Sequence, residues 1–141
     1  MSRGEDFNTR IETVYYSTGP GLTASNIPAY TGVIYCASDG NSVRPMSSMA
    51  ASDDHNFAGF TREDGLTVGK FGSIVFDGPC KVKVGAGGVT VGELTALSAS
   101  GKLILFSATT HNVALGNASV TAVSDDIIRH LLRPVVLACG S

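Results

Sequence analysis

The sequence predicts an all-β fold, a small barrel or sandwich. Three observations carry that expectation. Short apolar runs recur at close spacing from Thr31 onward, as in chains built from many short strands. Seventeen glycines punctuate the chain, and glycine supplies the backbone angles that reversals require. Residues 80–84, "CKVKV", alternate strictly. Cys80, Val82 and Val84 fall on one face and Lys81 and Lys83 on the other, the period of a half-buried strand.

Taken in order, the first thirty residues differ from the rest. "IETVYYSTGPGLTASNIPAY" mixes Gly, Pro, Ser and Thr with Tyr15, Tyr16 and Tyr30 and keeps no sustained period. Such a segment orders weakly alone yet carries rings worth burying. Residues 1–30 are therefore expected to form an extended N-terminal arm, frayed or laid on a neighbouring molecule. Arg10, Tyr15, Tyr16 and Tyr30 are its candidate partner contacts. Residues 31–141 are expected to form the barrel domain.

The barrel begins with "TGVIYCASDGNSV", an apolar run ending at Asp39-Gly40-Asn41, a turn signal because Gly and Asn tolerate positive φ. Residues 44–56 read as a polar loop. A short strand follows over Phe57–Thr61, then an Asp- and Gly-rich loop and a strand over Phe71–Phe76. "VTVGELTAL" (89–97) is rich in β-branched residues, "SASG" (98–101) is a turn, and "KLILF" (102–106) is another apolar run. "NVAL" (112–115) and "SVTAV" (119–123) come next.

Residues 124–137 support two readings. Ser124 is placed to cap a helix, with Asp125 and Asp126 in its first turn. Ile127, Ile128, Leu131, Leu132 and Val135 would share its apolar face. Pro134 would stop that helix after about two turns, and the preceding strand-turn-strand rhythm favours a closing strand.

Composition narrows the function. With 141 residues this is most simply one domain. Only 16% of residues are charged, against about 25% in ordinary globular proteins. Neutral surface is thus exposed or held against copies or a partner. The net charge of −2 and the absence of a dense basic run give no reason to bind nucleic acid. No stretch approaches the roughly 20 apolar residues of a membrane span. The polar start "MSRGEDFNTR" leads into no apolar signal core. Cys36, Cys80 and Cys139 lie far apart and form no disulfide framework or zinc pair.

The stretch Gly85–Gly92 holds four glycines and poses the question of a phosphate loop. A dinucleotide fingerprint opens a helix, and a P-loop carries Lys followed by Ser or Thr. Here the glycines run into β-branched "VTV", so they are expected to reverse a strand. Asp53-Asp54, Glu63-Asp64 and Asp125-Asp126 are adjacent, and neighbours on extended backbone point apart. "SDDHN" (52–56) lacks the spaced ligands of a calcium loop. His55, His111 and His130 show no metal spacing. No G-x-S-x-G elbow is present. No catalytic, cofactor or metal residue is assigned.

Residues 58–102 resemble the capsid decoration, or cement, proteins of tailed bacteriophages. Gly59, Gly69, Gly78, Val82, Gly92, Glu93, Leu94, Gly101 and Lys102 match that family's pattern of strands and Gly turns, including its "G-[DE]-L-[TV]" segment. "NVALGNASVTAVSDDIIRHLLRPVVL" resembles its closing part and favours a strand over 127–137. The resemblance spans about residues 31 to 138. It implies a small β-barrel or β-tulip domain without enzymatic activity or cofactor. It further implies a homotrimer on the outer face of the phage head, in the virion, assembled in the host cytoplasm. Its partner would be the major capsid protein, with no direct nucleic acid and no membrane. Two other functions remain open from the residues: a surface-displayed carbohydrate- or ligand-binding β-module, and a small hydrolase or isomerase on a barrel. The first needs clustered aromatics and the second convergent polar groups.

Overall fold

A computed structural model describes residues 9–16, 25–36, 39–45, 56–108 and 110–136, with backbone alone at 36 and 39–41. Ten strands run through them: β1 (Arg10–Tyr16), β2 (Gly32–Cys36), β3 (Asp39–Pro45), β4 (Phe57–Thr61), β5 (Phe71–Lys83), β6 (Thr95–Leu97), β7 (Leu103–Leu105), β8 (Val113–Ala114), β9 (Ile127–Leu132) and β10 (Val135–Val136). No α-helix occurs among the described residues.

The first five strands close into a barrel. Their order is β1–β3–β2–β4–β5, and β5 pairs back onto β1. The β1–β5 pairing is antiparallel and runs from Arg10↔Asp77 to Tyr15↔Phe71. The β1–β3 pairing is parallel, at Tyr15↔Ser42 and Tyr16↔Val43. Closure removes the open edges that would otherwise template association. Val14, Tyr16, Ile27, Val33, Val43, Ala58, Leu66 and Ile74 fill this unit's core.

Residues 10–16, expected as part of an extended arm, thus supply a strand with neighbours on both edges. The sequence hid this because the partners lie about 30 and 60 residues away, and alternation over "VYY" is short. Its signal is the pair Val14 and Tyr16, two apart and both buried, as one face of a strand requires.

The C-terminal half packs a second core against the barrel's outer side. Ile34, Phe60, Val82, Val84, Val89, Leu97, Leu103, Val113, Leu115, Ala118, Ala122 and Leu132 form it. Strand β2 serves both cores, because adjacent residues point to opposite faces: Val33 enters the barrel cluster and Ile34 the second. A bulge in the β2–β4 pairing, between Val33↔Gly59 and Ile34↔Phe57, lets β4 do the same. It brings Phe57 and Phe60 to one side, where their rings meet edge-on at 5.7 Å, while Ala58 faces the barrel core.

Residues 71–76 and 80–84 were expected as separate strands, yet 71–83 are one. The strand continues through Asp77-Gly78-Pro79 with Gly78 at φ 95°, an angle open to glycine. Past that point β5 leaves β1 and pairs with β9, from Gly78↔Leu132 to Lys83↔Ile127. Residues 127–132 are accordingly strand, and the helix reading fails. Six residues of pairing to β5 satisfy their backbone where a helix would have ended at Pro134. Asp39–Asn41, expected as a turn, begin β3; residues 37 and 38 and most of the loop 46–55, with Asp53, Asp54 and His55, lie outside the described residues.

The glycine-rich stretch contains no helix. Gly87, Gly88 and Gly92 have φ of 88°, 72° and 85°. The Gly88 N–H donates to Gly85 O (3.1 Å), and Val89 and Ala122 exchange backbone bonds of 2.9 and 3.0 Å. The glycines reverse the chain and return it to the second core.

Candidate interaction surfaces

The four residues expected to contact a partner lie in different surroundings. Tyr16 is 1% exposed, inside the barrel core, with its hydroxyl donating to Ser25 O at 2.8 Å. Tyr15 is half-buried, its ring 5.2 Å from that of Phe71, which is 74% exposed. Arg10 sits at the other end of β1, about 17 Å away at the usual strand rise, with Nε 3.9 Å from the exposed Asp77 carboxylate. The four therefore form no single patch.

Tyr30 belongs to a groove. It holds a left-handed φ of 59°, which is uncommon for a non-glycine residue. The backbone is pinned on both sides. Tyr30 N–H donates to Thr61 O (3.2 Å), and its carbonyl accepts from Lys83 N–H (3.0 Å). The Thr61 hydroxyl tightens the loop further, donating to Pro28 O (2.7 Å) and accepting from Thr31 N–H (3.0 Å). The groove beside it measures about 570 Å³ and is lined by Thr9, Ile11, Tyr30, Thr61, Arg62, Glu63, Val75, Pro79, Cys80, Lys81 and Arg129. Cys80 is a half-buried free thiol. Burial pushes its pKa up to about 12, so it stays protonated at neutral pH and is a poor nucleophile.

A second, apolar groove of about 370 Å³ lies in the C-terminal half, lined by Leu94, Ala114, Gly116, Asn117, Leu131, Arg133 and Val135. Below it His130 is fully buried. Its Nε2 donates to Leu115 O at 2.6 Å, which fixes the neutral tautomer and leaves Nδ1 buried without a hydrogen-bond partner. Burial lowers its pKa, and the bond to Leu115 opposes this. His111 accepts the Ser107 N–H at Nδ1, 3.0 Å away. Among the described residues no group of three or more His, Cys, Asp or Glu is placed to hold a metal, and no helix is long and apolar enough to cross a membrane.

The described residues also offer apolar surface for contact. Eleven large apolar side chains are exposed among the described residues, and nine of them follow Val84: Val91, Leu94, Leu105, Val120, Val123, Ile127, Leu131, Val135 and Val136. Three of them, Leu94, Leu131 and Val135, share the apolar groove.

The fold resembles the base of a phage head fiber. The chain aligns with the crystal structure of the head fiber gp8.5 N base of bacteriophage phi29 at a TM-score of 0.58, covering 93% of this chain and 99% of that one, with 13% sequence identity. No protein-family model and no curated protein matches the sequence. Identity this low transmits the fold and not the side chains, so the grooves described above are read from this chain alone.

Of the residues lining the groove beside Tyr30, sequence reasoning singled out Tyr30 as a partner contact and not Arg62, Lys81 or Arg129. Lys81 and Arg129 are cross-strand partners in the β5–β9 ladder and Arg62 follows the end of β4, so they lie far apart in the chain, and their only local signal is the outward-facing Lys81 of the "CKVKV" alternation.

Proposed function

We propose that the protein is a structural component of a phage head, a decoration protein that binds the outer surface of the major capsid lattice and stabilises the shell. The observation that carries this reading is the fold likeness to a head-fiber base over nearly the full length of both chains. The turn pattern of residues 58–102 supports it independently. So does the apolar exposure of the C-terminal half, which suits a chain that works against a protein surface. As a homotrimer it would gain avidity from several modest contacts in the lattice. Arg10, Tyr15 and Tyr30 are its proposed contacts on the N-terminal side; Tyr16 acts by holding β1 in the barrel. The protein performs no chemistry in this role and belongs in the virion, after assembly in the host cytoplasm.

Purified protein is expected to sediment as a trimer and to bind expanded heads, but not isolated capsid subunits, raising the temperature at which heads rupture. A strict monomer that ignores heads would remove the reading. One observation favours a carbohydrate-binding alternative: the exposed Phe71 ring backed by Tyr15 offers a sugar-stacking face. Binding on a glycan array that Phe71→Ala abolishes would support it, and silence across the array would eliminate it.

A further inference from the structure

The groove beside Tyr30 has a charge the rest of the molecule does not lead one to expect. The whole chain carries −2, yet the groove is lined by three cations, Arg62, Lys81 and Arg129, and by one carboxylate, Glu63. Arg62 and Lys81 are exposed and make no ion pair among the described residues. The same groove is lined by the apolar side chains of Ile11, Val75 and Pro79. The wall is rigid, because Tyr30 is held in its left-handed conformation by backbone bonds to β4 and β5. Non-glycine residues keep such angles where the surroundings enforce them, and they cluster at ligand clamps.

We propose that this groove binds an acidic peptide segment, one that sets carboxylates against Arg62 and Lys81 and an apolar side chain against Val75 and Pro79. Guanidinium pairs with carboxylate in a two-pronged geometry, and Lys adds a point charge. About 570 Å³ falls within the range of pockets that enclose small ligands. A polyphosphate or nucleic acid fits less well. Such ligands call for a dense basic run or a cradle of backbone N–H groups, and an apolar lining contributes nothing to them. The proposal does not depend on capsid attachment, since it concerns the chemistry of the isolated groove.

The test uses the full chain, isotopically labelled, titrated with a blocked pentapeptide of four glutamates around a central leucine. Saturable amide shifts are expected at Tyr30, Arg62 and Lys81. Arg62→Glu and Lys81→Glu should each weaken binding about tenfold, equivalent to 1.4 kcal/mol. Lys70→Glu, an exposed charge reversal outside the groove, should leave it unchanged. Both groove positions are exposed, so an otherwise intact spectrum verifies folding of each variant. Binding should also weaken as salt rises from 0.05 to about 0.5 M, since rim charges are screened. Absence of saturable shifts, equal binding of a control pentapeptide with four lysines in place of the glutamates, or inorganic phosphate saturating the same residues with equal affinity would each overturn the assignment.

Discussion

The two halves of the molecule reach the same end, a buried apolar core, by different means. The barrel is made of strands of five to thirteen residues whose ladders close on themselves. Apart from the six-residue β9, which pairs with the barrel strand β5, the C-terminal half uses β6, β7, β8 and β10, each two or three residues long. Isolated bridges such as Val89↔Ala122 and Leu94↔Asn117 join its remaining segments. Exposure follows the same division, with Ile11 and Phe71 exposed on the barrel strands and nine large apolar side chains after Val84. A closed ladder satisfies its own backbone and can present a polar exterior. A patchwork of short bridges leaves more apolar side chain at the surface, where another protein can cover it. The difference teaches that the barrel is the scaffold and the C-terminal half the larger apolar display.

The largest expected effect tests the scaffold. Tyr16→Ala removes a ring from the barrel core together with its bond to Ser25, and should cost about 3–5 kcal/mol in denaturant unfolding. Deleting residues 1–16 should cost more, since β1 closes the ring. The transition should remain single, because β2 and β4 contribute to both cores. Two separated transitions would show that the halves fold independently.

A smaller effect tests the patchwork. A Cβ on Gly88 would meet the Ala122 carbonyl oxygen at 2.4 Å, whereas one on Gly87 meets nothing within 4 Å. Both residues have positive φ. Gly87→Ala should therefore cost about 1–2 kcal/mol from backbone strain alone. Gly88→Ala should cost clearly more, because the Val89–Ala122 bridge must open. Equal losses in thermal melts would show that this bridge contributes little.

The pH dependence sharpens the comparison further. His130 is held neutral inside the second core, with its folded pKa below the unfolded value of about 6.5. Below that pH the unfolded chain takes up a proton that the folded chain does not. The stability from burying neutral His130 is thus present above about pH 6.5 and lost as pH falls toward the folded pKa. His130→Gln should flatten this slope below about pH 6.5, measured by urea unfolding across pH. An unchanged slope would place the titration elsewhere.

The smallest effect concerns the surface. Lys102 Nζ lies 2.9 Å from Asp125 Oδ1, and this pair holds the Asp125 carboxyl below its usual range. Asp125 is exposed, and exposed pairs are largely screened. Lys102→Ala should leave the melting temperature unchanged within error in physiological salt, and a clear drop would mean that the turn at residue 125 is more strongly coupled to the core than its exposure implies.

Much of this was legible in the residues. The alternation of Cys80, Val82 and Val84, the strand at Phe57–Thr61 and the reversals at Gly87, Gly88 and Gly92 follow from two-residue periodicity and from glycine's access to positive φ, both local properties. Local chemistry also indicated a chain of short strands with no helix start after its glycines. Tertiary structure decided what depends on distant partners. Residues 10–16 became a central strand because β3 and β5 offered both edges. Residues 127–132 became a strand because β5 runs on past Gly78 to pair with them. The cationic groove exists only because the β5–β9 ladder sets Lys81 opposite Arg129 and the chain leaving β4 brings Arg62 to the same groove. Periodicity reports which face of a segment is apolar, but its neighbour is chosen by hydrogen-bonding and packing across tens of residues, and no local pattern encodes that.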